Sequence, residues 1–308
     1  MSVPVHIESL SKSFGKVHAL ENISLDIQKG ELFGFIGPDG AGKTTLFRIL
    51  CSLMLADQGE VTINHIDVVK GYKKIRQIIG YMPGRFSLYM DLSVEENLAF
   101  YARIFHTSIE ENYDIIRDIY EQIAPFKKRR AGDLSGGMKQ KLALSCALIH
   151  NPALLILDEP TTGVDAVSRK EFWDMLKKMQ QTGITILVST PYMDEAALCD
   201  RVALMQSGKL LSMDTPTQIV NDFPGNLLSI KAKGMYPLLH DLDGFEGANS
   251  VYRFGETIHL ATKMNTNLME QKLFPFLEGK GYQEIEIIEK QANIEDCFLA
   301  LMEGKTGS

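Results

Sequence analysis

Residues Gly37–Thr44 read GPDGAGKT, and the segments on either side decide how that loop is used. Ahead of it stands LFGFI (32–36), an apolar run of strand character; behind it KTTLFRILCSLM (43–54) carries apolar residues at helical spacing. Strand, glycine-rich loop and helix in that order form the context in which the pattern G-x-x-x-x-G-K-[ST] binds phosphate. The glycines let backbone N–H groups approach phosphate oxygens, and the helix N-terminus adds positive potential. Lys43 can reach the terminal phosphates and Thr44 can ligate magnesium. The expected phosphate-binding set is Gly37, Pro38, Asp39, Gly40, Ala41, Gly42, Lys43, Thr44 and Thr45.

A second half of such a site stands at ALLILDEP (153–160), a continuous apolar strand that ends in two acids. Asp158 can hold magnesium, directly or through water, and Glu159 is placed to orient or deprotonate an attacking water. A second apolar strand, GITILVST (183–190), follows the helical segment AVSRKEFWDMLKKMQQTG (166–183). Strand, helix and buried strand imply a parallel sheet.

Outward from these motifs, the opening VPVHIESLSKSFGKVHALENISLDIQKGELFGFIG (3–37) alternates apolar and polar residues between glycines and reads as a small antiparallel sheet. GEVTINHIDV (59–68) reads as a further strand pair. Ser93 and Glu96 have the spacing of a helix N-cap with its reciprocal acid, and helices dominate from there to His150. A turn-rich break at NDFPGN (221–226) is followed by strand, helix, hairpin, helix, strand and helix, compatible with a split βαβ domain. The expected domains are 1–224, with a helical subdomain at about 86–150, and 225–308.

With 308 residues, 45% of them hydrophobic and 23% charged, the chain has the composition of a soluble globular protein with a main and a smaller domain. A net charge of -7 argues against a nucleic-acid partner. Its 4 cysteines are far apart and form no close pair, which suits buried thiols in a reducing compartment. No apolar run is long enough to span a bilayer, and MSVPVHIESL has no signal-peptide pattern. A cytosolic chain is expected, with any membrane role carried by a partner.

The block DLSGGMKQKLALSCALIHNPALLILDEPTTGVD (133–165) joins a Ser-Gly-Gly helix start, a long helix and the acidic strand. It resembles the ATP-binding-cassette ATPases, the nucleotide-hydrolysing subunits of ABC transporters, over roughly the first two thirds of the chain. The resemblance implies an α/β fold: a P-loop, RecA-like core with an antiparallel β subdomain and a helical signature subdomain. It implies ATP and Mg2+ as ligands, an integral membrane permease as partner, and a peripheral place on the cytoplasmic side of the membrane. It also implies a head-to-tail dimer in which Leu134, Ser135, Gly136, Gly137 and Met138 contact ATP held by a second ATPase subunit. Ser135 reads equally as an ordinary helix cap. Phe14 matches the position that stacks adenine. Asp165 matches the loop that crosses the dimer interface, and it also reads as the cap of the following helix. The tail looks like the C-terminal extension of multidrug-type exporter ATPases.

Two positions depart from the family pattern. Gly84, in GYMPGRF (80–86), stands where the family carries a glutamine, and Pro191, after TILVST, stands where it carries a histidine that contacts the terminal phosphate. Glycine offers only backbone and proline has no donor. Alternatively, Thr190 as N-cap with Pro191 at the first helical position makes a well-built helix start. The pairing of two losses with an intact LSGGM leads to the expectation of a slow own site and a heterodimer with a competent ATPase. A non-hydrolysing regulatory subunit and a soluble, non-transporting ABC ATPase are the alternatives.

Overall fold

The computed structural model describes residues 4–303; the outermost residues of the two expected domains, 1–3 and 304–308, lie outside the described residues. Two compact units divide between Thr215 and Pro216.

In chain order the first unit contains β1 (Val5–Phe14), β2 (Val17–Ile27), β3 (Leu32–Ile36), α1 (Lys43–Leu50), β4 (Gln58–Ile63), β5 (Ile66–Asp67), α2 (Tyr72–Ile78) and β6 (Ile79–Met82). It continues through α3 (Val94–Ile104), α4 (Tyr113–Tyr120), α5 (Gly136–Leu148), β7 (Leu154–Asp158), α6 (Ala166–Gln181), β8 (Thr185–Thr190), β9 (Arg201–Gln206) and β10 (Lys209–Asp214). The antiparallel sheet has the order β2-β1-β4-β5, and the central sheet the order β10-β9-β3-β8-β7-β6. The strand pairs from β9 through β6 are parallel, and β10 adds an antiparallel edge.

The opening segment therefore serves two sheets, which corrects the expectation of one. β1 and β2 pair as a hairpin, but β3 leaves them and lies between β8 and β9. Every residue of LFGFI is buried, so the strand needs cover on both faces, which the centre of a parallel sheet provides and a half-exposed hairpin does not. One apolar cluster joins the two sheets through α1, with Val5 and Leu25 at one end, Leu46 and Phe47 between, and Phe33 and Leu187 at the other. Phe47 meets Phe35 edge-on at 5.4 Å between ring centroids. That packing fixes α1 under the loop that precedes it.

The second unit contains α7 (Pro216–Asn221), β11 (Asn226–Lys231), α8 (Met235–Asp243), β12 (Ser250–Phe254), β13 (Thr257–Thr262), α9 (Thr266–Gly279), β14 (Glu286–Lys290) and α10 (Ile294–Glu303). Its sheet is antiparallel with the order β12-β13-β11-β14, the split βαβ arrangement. Leu228, Ile230 and Leu260 of the sheet pack with Leu238 of α8 and with Met269 and Leu273 of α9. The division falls earlier than the expected boundary at 224 because α7 packs with the second unit, where the Cys297 thiol of α10 lies 3.4 Å from the Ile219 carbonyl. All four cysteines are buried and free. Among the described residues no helix is long and apolar enough to cross a membrane.

Candidate functional site

The loop GPDGAGKT leaves the end of β3 with its first amide already engaged: the Gly37 N–H donates to the Thr190 carbonyl at 3.2 Å, which ties the loop to the end of β8. A Cβ on Gly37 would lie 2.2 Å from the Met205 carbonyl oxygen, so no other residue fits there. Gly42 caps α1 at φ 102°, and a Cβ on it would stand 2.3 Å from the Ala19 carbonyl oxygen. Lys43, 3% exposed, donates through Nζ to the carbonyls of Gly37 (2.7 Å) and Pro38 (3.0 Å) and lies 3.4 Å from Glu159 Oε1.

At the end of β7 the Asp158 carboxylate is buried. Its Oδ1 accepts from Thr44 Oγ1 at 3.1 Å and from Ser189 Oγ at 2.6 Å. Thr44 and Asp158 thus present oxygen donors at one point beside the phosphate loop, the donor type a magnesium ion takes when phosphates complete its shell. Behind them, burial and then the Asp158 charge push the Cys51 thiol and the Tyr81 phenol above their ordinary values, so both stay neutral at neutral pH. The next residue, Glu159, has φ 49°, uncommon for a side-chain-bearing residue. Its N–H donates to Ser189 O (3.1 Å) and Ser189 Oγ (3.0 Å), and its Oε2 accepts from Thr162 Oγ1 at 3.4 Å.

Both departed positions border these acids or the loop. A Cβ on Gly84 would lie 3.0 Å from the Asp158 carbonyl oxygen and 3.7 Å from Glu159 Cβ. Pro191 directly follows Thr190, the residue that accepts from Gly37. The alternative reading of Thr190 as a helix cap does not hold. The helical turn is 3-10, spans Met193–Leu198 and leaves Pro191 outside it. Thr190 Oγ1 accepts instead from the Tyr192 N–H at 3.1 Å and donates to the buried Glu195 carboxylate at 2.5 Å, which claims the hydroxyl a cap would use.

The remaining sites lie on other elements. Ser135 caps α5, accepting from the Met138 N–H at 3.3 Å. Positions for a Cβ on Gly136 and Gly137 fall 3.8 Å from Gly163 O and 2.8 Å from Ser168 Oγ, so Leu134–Met138 run beside the segment that carries Asp165. Asp165 caps α6, accepting from the N–H groups of Val167 (3.1 Å) and Ser168 (3.0 Å), and the Ser168 contact above all holds its carboxyl below the usual range. Phe14, at the end of β1, is 49% exposed, with Lys12 Nζ 5.6 Å from its ring centroid. Sequence reasoning missed Ser189, although the register that pairs it with Asp158 across β7 and β8 brings its hydroxyl onto that carboxylate.

The family model described as ABC transporter matches residues 20–162. The chain is 37% identical over 217 residues to the probable multidrug ABC transporter ATP-binding protein YbhF of Escherichia coli (strain K12), covering 70% of this chain and 38% of that protein. It is 32% identical over 305 residues to the Nod factor export ATP-binding protein I of Rhizobium meliloti (strain 1021), covering 97% of this chain and 88% of that protein. Among solved structures, the ATP-binding cassette MJ0796, a dimer bound to ADP and Pi, is 27% identical with a TM-score of 0.62, covering 68% of this chain and 98% of that one. The phosphate loop, the acidic end of β7 and these likenesses make the chain a member of the ABC transporter family, one of its ATP-binding cassettes.

Proposed function

We propose that this chain is the ATP-hydrolysing subunit of an ABC export complex, held peripherally at the cytoplasmic face of a membrane by a permease. The observation that carries the ATPase reading is the convergence of Lys43, Thr44, Asp158 and Glu159 at the ends of β3 and β7. Lys43 and the loop amides hold the terminal phosphates, and Thr44 and Asp158 hold Mg2+, which when bound neutralises phosphate charge. Glu159, kept beside Lys43, orients the attacking water and accepts its proton. Glu159→Gln tests this reading in a complex whose partner ATPase site is inactivated: loss of the remaining turnover supports catalysis here, and unchanged turnover supports the regulatory alternative.

Similarity to export proteins along nearly the whole chain supports the direction of transport. A largely apolar cavity of about 220 Å3 beside Pro83, lined by Leu53, Tyr81, Leu88, Tyr101 and Phe105, supports docking of the permease next to Gly84.

The chain's own site is slow, and its LSGGM serves a competent site on a different ATPase subunit. Gly84 faces both acids with no side chain, and Pro191 brings no donor to the end of β8. Losing one preorganised polar group costs a hydrolytic site on the order of a hundredfold. Gly84→Gln combined with Pro191→His is expected to raise hydrolysis at this chain's own site, read in the complex with the partner's site inactivated, by about tenfold or more. The Cβ at 84 requires the Asp158 backbone to give by only a few tenths of an ångström. No gain in a variant that still binds ATP overturns this part.

A further inference from the structure

Glu195 takes no part in the chemistry assigned so far, yet its carboxylate is the meeting point of three elements of the first unit. The residue is 2% exposed. Its Oε1 accepts from Thr161 Oγ1 at 2.8 Å and its Oε2 from Thr190 Oγ1 at 2.5 Å. Arg169 Nε of α6 lies 3.8 Å from Oε1, and the same guanidinium donates to Asp194 Oδ2 at 3.2 Å and stands 4.9 Å from the Tyr192 ring centroid. Desolvating a carboxylate is costly unless its oxygens are satisfied, and here each oxygen has a hydroxyl donor. The two donors come from places that matter. Thr161 is two residues beyond Glu159, and Thr190 immediately precedes Pro191.

We propose that Glu195 is a positioning residue for hydrolysis: it pins the loop that follows Glu159 to the end of β8 and so holds the Glu159 carboxylate beside Lys43. The proposal rests on the ATPase reading of that site. Glu159 needs such a restraint, because a left-handed backbone at a side-chain-bearing residue persists only where its surroundings over-determine it. On its N-terminal side the restraint is the pair of contacts to Ser189. On its C-terminal side the local contacts are Thr162 N–H to Glu159 O at 3.2 Å and Thr162 Oγ1 to Glu159 Oε2 at 3.4 Å. These bind the turn to itself, and the Thr161 contact to Glu195 is what fastens the turn to the sheet. Arg169 carries the same anchor into the start of α6, where Asp165 is the cap and Ser168 abuts Gly137 of the signature. One carboxylate thereby sets the catalytic turn and the segment beside the signature helix in one frame.

The test compares wild type, Glu159→Gln, Glu195→Gln and Glu195→Ala in the assembled complex with the partner ATPase's own site inactivated, reading single-turnover ATP hydrolysis at this chain's phosphate loop and, separately, affinity for a fluorescent ATP analogue. Glu195→Ala is expected to slow hydrolysis by on the order of ten- to a hundredfold, the scale set by small misplacement of a catalytic group. Affinity should stay within about twofold, because Lys43 and the loop amides are untouched. Glu195→Gln should keep most of the rate, since its amide can accept from one threonine and donate to the other. Unchanged hydrolysis in Glu195→Ala, or equal losses of rate and affinity, overturns the proposal. Should Glu195→Ala fail to fold, Thr161→Val removes one donor at constant volume, and an unchanged rate there overturns the proposal equally. Equal rates for wild type and Glu159→Gln sink the ATPase reading itself and this proposal with it, an outcome distinct from a Glu195 series that is flat beside a dead Glu159→Gln.

Discussion

Gly37 and Gly40 belong to one loop, yet they must be glycine for different reasons. A Cβ on Gly37 would sit 2.2 Å from the Met205 carbonyl, part of β9, which cannot yield without moving the central sheet. At Gly40 the space is open and the constraint is φ 79° alone. Gly37→Ala is therefore expected to abolish measurable ATP binding and to cost up to about 3 kcal/mol in unfolding free energy, as overpacking does. Gly40→Ala should cost about 1–2 kcal/mol for the left-handed backbone and retain binding. Nucleotide titration and chemical denaturation of both variants check this, and equal affinities would refute the steric argument. Legibility in the sequence divides at this scale in the same way. Lys43, Thr44, Asp158 and Glu159 were readable because each stands at a fixed offset within one strand-loop segment. Ser189 was not, because its partner lies across the sheet and only strand register reveals it, and Glu195 was not, because its contact with Thr161 joins turns 34 residues apart in the chain.

At the scale of elements, helix starts were the most readable feature and sheet membership the least. Ser93 and Glu96 form the reciprocal pair that their spacing announces, with Ser93 Oγ accepting from the Glu96 N–H and Glu96 Oε2 accepting from the Ser93 N–H. Ser93→Ala should destabilise the first unit by about 1 kcal/mol. The Ser93 backbone N–H, foremost, and its side chain hold the Glu96 carboxyl below its usual value. Because the folded-state value is the lower one, this stabilisation is fully present above the ordinary Glu range near pH ~4.3 and is lost as pH falls through the lowered value. Thermal melts should accordingly show Glu96→Gln below wild type at neutral pH and the gap closing under acid; a gap independent of pH would contradict the assignment. By contrast, β3 reads locally like its hairpin neighbours, and only burial of all five residues sends it to the central sheet. The turn after Pro191 shows the same limit, since a cap signal at Thr190 is overridden by a carboxylate four residues beyond the proline.

For the whole molecule, two units with separate cores imply that damage to one leaves the chemistry of the other intact, and Asp296 is where this can be shown. Its side chain is fully buried in the second unit, with Oδ1 2.6 Å from His259 Nδ1 and accepting from Tyr252 OH at 2.9 Å, and Oδ2 accepting from the Asn293 N–H at 2.8 Å. Burial alone would raise its carboxyl, but the hydrogen bonds from His259, Asn293 and Tyr252 outweigh that and hold it below the usual range. These contacts join α10 to β12 and β13, and removing the charge strands a buried imidazole whose Nε2 already has no partner. Asp296→Asn is expected to destabilise residues 216–303 by about 1–3 kcal/mol, as leaving a buried hydrogen-bonding group without its partner does. Calorimetry should then resolve a lowered transition for the second unit, with the transition of the first unit and its ATP affinity unchanged. The tail's order of elements was legible from its turns, whereas the contact that groups α7 with it comes from Cys297, far along the chain. A single transition that shifts as one, or a fall in ATP affinity, would mean that the two units share their stability and that α10 reports on the nucleotide site.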